Sequence, residues 1–230
     1  MKIDPDFSFD DAQGLNAAIY RIQNQRQFGP KGMAGRIVEA SGRVLKANRK
    51  GEEALLKQNV ALAFSWAMAL ANALEISVRG QVWKHFPAAC PYCACCPCDP
   101  SKHLKDKKRL DLERYCGRFD LRPTSITDFQ AMFARIYPLN ELEVSAPHFV
   151  EEAIELQTAL DRFCATHRYD LFPKVQEEFV DVLANAFAVF NCLKVELGTA
   201  YQEMFSDGCI DCKRVPCRCG YPIAESFSVK

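Results

Sequence analysis

Glycine is sparse, with 11 residues in 230, and proline adds only 12, so most of the chain is free to be helical. Segments of alternating apolar and polar residues closed by hairpin turns are nearly absent, which argues against a sheet protein. Neither sign of charge prevails. The 29 Lys and Arg are matched by 29 Asp and Glu, leaving no global field to gather nucleic acid or an anionic membrane, so any such contact has to be local. The first residues, MKIDPDFSFDDAQ, carry acids and a proline where a secretory signal needs a basic start and an apolar run; a cytoplasmic protein is expected. The longest apolar run, Val60 to Leu74, is interrupted by Asn72 and falls short of the roughly 20 residues of a spanning helix. It reads as a buried core helix, and no membrane partner is expected. One residue type is in excess: the 12 cysteines are many for a cytosolic chain and need their own explanation.

The sequence is written twice. Adding 119 to Cys90, Cys93, Pro97 and Cys98 gives Cys209, Cys212, Pro216 and Cys217, and the same step pairs Ala67, Asn72, Leu74 and Phe86 with Ala186, Asn191, Leu193 and Phe205. Near the start of each half a step of 117 pairs Ser8, Asp11, Gln13, Ile19 and Tyr20 with Ser125, Asp128, Gln130, Ile136 and Tyr137. Repeats of this length are units that bury their apolar faces against one another. The chain therefore divides into a first repeat, residues 6–100, a polar and charged linker, 101–122, and a second repeat, 123–219. The basic stretch of the linker, Lys102 to Arg109, reads as a solvated face.

Each repeat shows the same order of elements. Ser8 and Ser125 stand three residues before an Asp, a variant of the capping box at a helix start. Second helices are expected near Ala34–Asn48 and Pro147–His167, and third helices near Glu52–Val78 and Phe172–Leu197. In the last of these, Val175, Phe179, Val182, Leu183, Ala186, Val189, Phe190 and Leu193 recur at three- and four-residue steps, one buried face. The expected fold is all-α, two related helical units packed as an intramolecular pseudo-dimer that is open to further self-association.

The second repeat carries acids that the first lacks. Glu151, Glu152 and Glu155 fall on its second helix, and Glu177, Glu178 and Asp181 start its third; i,i+3 spacing puts Glu152 beside Glu155 and Glu178 beside Asp181. Singly, each acid suits a solvated helix start. Asp181, however, lies between Val180 and Val182 in an apolar helix and its counterpart is Leu62; Glu178 maps to Asn59, and of the first pair only Glu39 remains in RIVEASGRVLKA. Four inward carboxylates would raise one another's pKa unless a divalent cation neutralised them, and oxygen-only ligands favour Mg²⁺ or Mn²⁺.

Glu152-x-x-Glu155, 22 intervening residues, then Glu178-x-x-Asp181 resembles the ExxE…ExxD signature of the MazG-like all-α nucleoside triphosphate pyrophosphohydrolases. The phrases HFVEEAIELQTAL and EEFVDVLANAFAVFNCL match in their apolar frame, so the resemblance covers about residues 125–197. It implies a tandem MazG-like helical bundle in which these four acids hold Mg²⁺ and are the catalytic set. The metal would activate a water that cleaves a nucleoside triphosphate to monophosphate and pyrophosphate. Family members usually dimerise, and the first repeat would be the built-in, acid-poor partner. Asn185, one turn after Asp181, is a candidate contact to nucleotide or metal, and Arg162, His167, Arg168 and Lys174 in the connecting loop are candidate phosphate contacts.

Cys209, Cys212, Cys217 and Cys219 place four thiols in eleven residues, opening with the CxxC spacing that lets two sulfurs share one tetrahedral metal. Zinc is the leading reading; disulfides, which a reducing cytosol disfavours, and an iron–sulfur cluster are the alternatives. Cys90, Cys93 and Cys98 stand in register, but Pro100 replaces the fourth thiol. Cys95, Cys96, His103 and Cys116 are candidates for that place, with Cys96 taken into the set. Both knuckles follow the last helix of their repeat, where closed structural coordination would clamp the helix ends. The rival to a hydrolase is a catalytically silent zinc-knuckle scaffold or nucleic-acid-binding module, to which Lys213, Arg214 and Arg218 lend basic character.

Overall fold

A computed structural model describes residues 3–103, 109–110 and 112–219; residues 104–108 of the basic stretch lie outside it. The described residues are helical, with no strand among them. The elements are α1 (Phe9–Gln27), α2 (Pro30–Lys50), α3 (Glu53–Ala73), α4 (Val78–His85), the single turn α5 (Glu113–Cys116), α6 (Ile126–Ile136), α7 (Leu142–Thr166), α8 (Phe172–Leu193) and α9 (Leu197–Met204).

Both expected capping boxes are formed. The Asp11 N–H donates to Ser8 Oγ at 3.1 Å and the Ser8 N–H to Asp11 Oδ2 at 2.9 Å. At α6 the same exchange joins Ser125 and Asp128 at 3.1 and 3.2 Å. Each box satisfies two backbone donors that a helix start leaves free. Helix α2 opens on Pro30, and Gly51 ends it in the left-handed conformation, φ 68°, which folds α3 back against α2. By length and composition α3 could cross a membrane; in this fold Leu56, Val60, Phe64, Ala67, Met68 and Leu70 are buried in the core.

The third helices end earlier than their sequence suggests, at Ala73 and Leu193, and short helices α4 and α9 follow. Neither break carries a glycine or proline. Each turns instead on a left-handed residue, Glu75 at φ 55° and Lys194 at φ 54°, and each is held by a glutamine of a first helix. Gln13 Nε2 donates to the Ile76 carbonyl at 3.1 Å and Gln13 Oε1 accepts from the Val78 N–H at 3.4 Å. Gln130 does the same for Val195, at 2.7 Å, and Leu197, at 2.9 Å. Asn72 and Asn191 return a bond to the carbonyls of those glutamines, at 3.0 and 3.3 Å. Tertiary hydrogen bonds to buried backbone groups thus set an end that local propensity would not.

The core lies between the two sets of helices. Helix α2 packs on α3, α7 on α8 and α2 on α7, while α4 lies against α8 and α9 against α3, so the last helix of each half packs on the third helix of the other. Rings cross the same boundary: Phe9 meets Phe129 at 5.0 Å, and Phe64 meets Tyr201 at 5.2 Å. The cysteine segments are exchanged likewise. The Cys98 N–H donates to the Ile136 carbonyl and the Cys217 N–H to the Ile19 carbonyl, both at 2.7 Å. The Tyr137 hydroxyl donates to Cys90 Sγ at 3.6 Å, and the Tyr20 hydroxyl accepts from the Ile210 N–H at 3.1 Å.

Candidate functional site

Glu152 projects from α7, and Glu178 and Asp181 from α8; one carboxylate oxygen of each lies within 4.8 Å of the other two. Helix α8 packs along α7, and its apolar face carries Glu178 inward to 3% exposure. Burial and mutual repulsion raise the proton affinity of such a group. Burial, with Asp181, Glu155 and Glu178 nearby, pushes Glu152 up to about 8. Burial likewise pushes Asp181 up to about 6, against the pull of Arg109. Glu155, the fourth acid of the motif, is exposed and stands outside this group of three. It lines a neighbouring pocket of about 320 Å³ together with Arg162, Lys174 and Glu178.

Two cations already face the acids. Lys174, in the first turn of α8, reaches Glu177 at 2.5 Å and Glu178 at 2.7 Å. Arg109 pairs with Asp181 and lies 3.5 Å from Glu177, with its guanidinium over the rings of Phe86 and Tyr92 at 5.7 and 5.6 Å. The reading of Lys102 to Arg109 as a solvated face is corrected at Arg109, whose side chain is 14% exposed. Carboxylates and aromatic faces compensate its loss of water. Its partner Asp181 is 72 residues away, beyond any spacing rule.

The other candidate contacts divide. Arg162 and Lys174 join the pocket beside Glu155 and Glu178. Arg168 forms an exposed pair with Asp170 at 2.6 Å, and His167 caps the end of α7 in the left-handed conformation. Asn185 donates to the Asp181 carbonyl at 3.1 Å, a bond within its own helix.

Two further groups gather thiols. Cys209, Cys212, Cys217 and Cys219 form one, and Cys90, Cys93 and Cys98 form the other with His103, the ligand atoms of each set lying within 4.8 Å. Cys96 is exposed and outside the set; His103 takes the fourth place, with Nε2 3.3 Å from Cys98 Sγ and 3.8 Å from Cys90 Sγ. Sulfur separations are 3.7 Å for Cys209–Cys219, 3.9 Å for Cys212–Cys217 and 4.0 Å for Cys93–Cys98. A disulfide needs about 2.05 Å, whereas thiolates on a tetrahedral zinc at about 2.3 Å stand about 3.8 Å apart. No disulfide joins the cysteines of either set, and each set has the size of one tetrahedral ion.

The backbone of both segments is shaped for sulfur. The Cys90 and Cys209 N–H groups donate to the carbonyls of Cys95 and Arg214, and left-handed Ala94 and Lys213 turn the chain back. Backbone N–H groups then point at the sulfurs: Asp99 to Cys93 at 3.5 Å, and Arg218 to Cys212 at 3.3 Å. The Arg218 N–H draws the Cys212 thiol down to about 6, while burial pushes Cys98 and Cys217 up. Such outer bonds orient and stabilise thiolate ligands.

Comparison with protein-family models, with curated proteins and with solved structures finds no match for this chain.

Proposed function

We propose that the chain is a Mg²⁺- or Mn²⁺-dependent nucleotide pyrophosphohydrolase of MazG-like type, with the second half as the competent unit and the first as its built-in, acid-poor partner. The observation that carries this reading is the convergence of Glu152, Glu178 and Asp181 from two packed helices. The donors fit a hard cation. They are all oxygens, and among the described residues the neighbourhood holds five carboxylates, Glu152, Glu155, Glu177, Glu178 and Asp181, against the three cations Arg109, Arg162 and Lys174. That residual negative charge suits a divalent ion, and burial, reinforced by the neighbouring acids, raises the proton affinity of Glu152 when no ion is bound.

Glu152, Glu178 and Asp181 would hold the ion, and Glu155 borders the space beside it. When bound, Mg²⁺ supplies neutralisation of phosphate charge and a water of lowered pKa. Arg109 fixes the carboxylate of Asp181, and Lys174 fixes that of Glu178. Arg162 and Lys174 offer positive charge to a phosphate in the pocket beside Glu155. The two thiol groups, each closed by four ligands, are structural zinc sites that pin each cysteine segment onto the first helix of the other half.

Release of pyrophosphate and nucleoside monophosphate from a panel of nucleoside triphosphates with Mg²⁺ or Mn²⁺ tests this reading. Glu178→Gln is expected to reduce turnover by more than the roughly 10–100-fold that outer-shell partners cost. Wild type that is inactive on every substrate and binds no nucleotide would favour the scaffold or nucleic-acid reading. Lys213, Arg214 and Arg218, exposed around the second thiol group, are the contacts that reading requires, and their replacement would then weaken binding of single-stranded nucleic acid.

A further inference from the structure

Arg109 and Glu177 also line a second cavity, of about 690 Å³. Helix α4 of the first half supplies Trp83, Lys84 and His85 to its wall; Arg109 comes from the linker, and Phe119 and Arg122 from the approach to α6. Three of these side chains bring a buried nitrogen that has no hydrogen-bond partner among the described residues: His85 Nε2, Arg109 Nη1 and Arg122 Nε. Arg79, close enough to Arg122 to repel its charge, has an unpartnered Nε as well. Among the described residues of the lining, Glu177 is the one carboxylate, beside Lys84, Arg109 and Arg122.

A buried donor without an acceptor is costly, and more so when charged. Here the side chains that carry three such donors come from separate segments to line one cavity. Burial and the nearby Arg109 hold His85 down to about 4, so near neutral pH its ring adds an N–H donor or an acceptor without charge, according to tautomer. An oxyanion with several oxygens satisfies dispersed donors better than a planar carboxylate does, and guanidinium groups are suited to phosphate oxygens. The cavity volume is within the roughly 300–1,000 Å³ of small-molecule sites.

We propose that this cavity is a pyrophosphate-binding site, in which Arg109, Arg122 and His85 donate to the anion's oxygens. Helix α4 of the acid-poor half thereby serves the acid-bearing half, and Arg109, shared by cavity and acid cluster, joins the two. The identity of the anion as the pyrophosphate portion of a nucleotide rests on the hydrolase reading, whereas the anion site follows from the unpaired donors alone.

Titration of the full-length, zinc-loaded protein with pyrophosphate in Mg²⁺-free buffer, followed by calorimetry, tests the site without any catalytic step. Saturable binding is expected, weakened tenfold or more in Arg122→Gln, the loss of one charge-assisted hydrogen bond. Arg135→Gln, an exposed change on α6, is expected to leave it intact, and equal thermal midpoints exclude unfolding as the cause. Absence of saturable binding in wild type, or equal binding by Arg122→Gln and wild type, overturns the proposal. So does a single-stranded oligonucleotide that displaces pyrophosphate and loses affinity in Arg122→Gln, because the phosphate would then belong to nucleic acid. Saturable, Arg122-dependent pyrophosphate binding in a protein that hydrolyses no nucleotide retains the anion site and removes the hydrolase reading.

Discussion

The two halves of the chain share a frame and differ in what fills it. Ser8 and Ser125 cap their helices alike, Gln13 and Gln130 hold the same break, and two cysteine segments are bonded in the same way to the opposite half. Where α8 presents Glu178 and Asp181, α3 has Asn59 and Leu62. Asn59 bonds the Leu55 carbonyl at 2.6 Å within its own helix, and Leu62 lines a cavity of about 300 Å³ with Phe28, Ala40 and Trp66. Arg36 and Arg43 are tied there to Glu39, the one acid that remains of the pair. The glutamines and asparagines that bond the backbone at the two breaks, Gln13 with Asn72 and Gln130 with Asn191, are present in both halves, where an unpaired group would cost about 1–3 kcal/mol; the acids Glu178 and Asp181 are present in one.

The comparison can be broken most severely at the thiol groups. Two ions per chain are expected from the two closed sets, and Cys98→Ser or Cys217→Ser should each reduce zinc content by one ion. Either should also lower the unfolding midpoint strongly, because metal-binding free energy adds directly to folding free energy. Elemental analysis and calorimetric melting check both variants. A large loss in one and none in the other would show that only one segment is a metal site.

A smaller effect is expected at the glutamines. Gln130→Ala leaves the Val195 carbonyl and the Leu197 N–H without their partner, and Gln13→Ala does the same to Ile76 and Val78. Each should cost about 1–3 kcal/mol in denaturant unfolding. The loss should be larger at Gln130, which is buried to 6% exposure.

The caps sharpen the comparison further. Ser8→Ala and Ser125→Ala should each cost about 0.5–2 kcal/mol. The second cap adds a pH dependence. Burial raises the Asp128 carboxyl, but bonds from Ser125 and Thr124 outweigh it and hold the group below the usual carboxylate range. The depressed value means that its stabilisation is complete above the ordinary aspartate pKa of about 3.9 and is lost as pH falls through the folded-state value. Asp128→Asn should reduce that part of the acid-side slope, as measured by melting at successive pH values.

The sequence made visible whatever depends on spacing. The 117 and 119 steps, the Ser–Asp caps, the apolar stripe of α8 and the CxxC pairs are local patterns, and the structure contains each of them. Three of the four motif acids also came together. Features fixed by distant partners were hidden. The breaks at Glu75 and Lys194 depend on glutamines some 60 residues earlier in the chain. His103 completes the first thiol set because the 3₁₀ turn Pro100–Lys102 carries it back to the sulfurs, while the nearer Cys96 points outward. Arg109 looked like one more solvated cation until packing placed it between Asp181 and two aromatic rings. The only available sign was an arginine at the end of a lysine-rich stretch, followed by Leu110.

The most direct test of the account is Mn²⁺ binding, followed by electron paramagnetic resonance, in zinc-loaded wild type and Asp181→Asn. The account predicts saturable Mn²⁺ binding in wild type that Mg²⁺ displaces and that Asp181→Asn abolishes while zinc content and melting temperature are retained. Undiminished Mn²⁺ binding by Asp181→Asn, or none by wild type, would contradict the assignment of Glu152, Glu178 and Asp181 as a cation site.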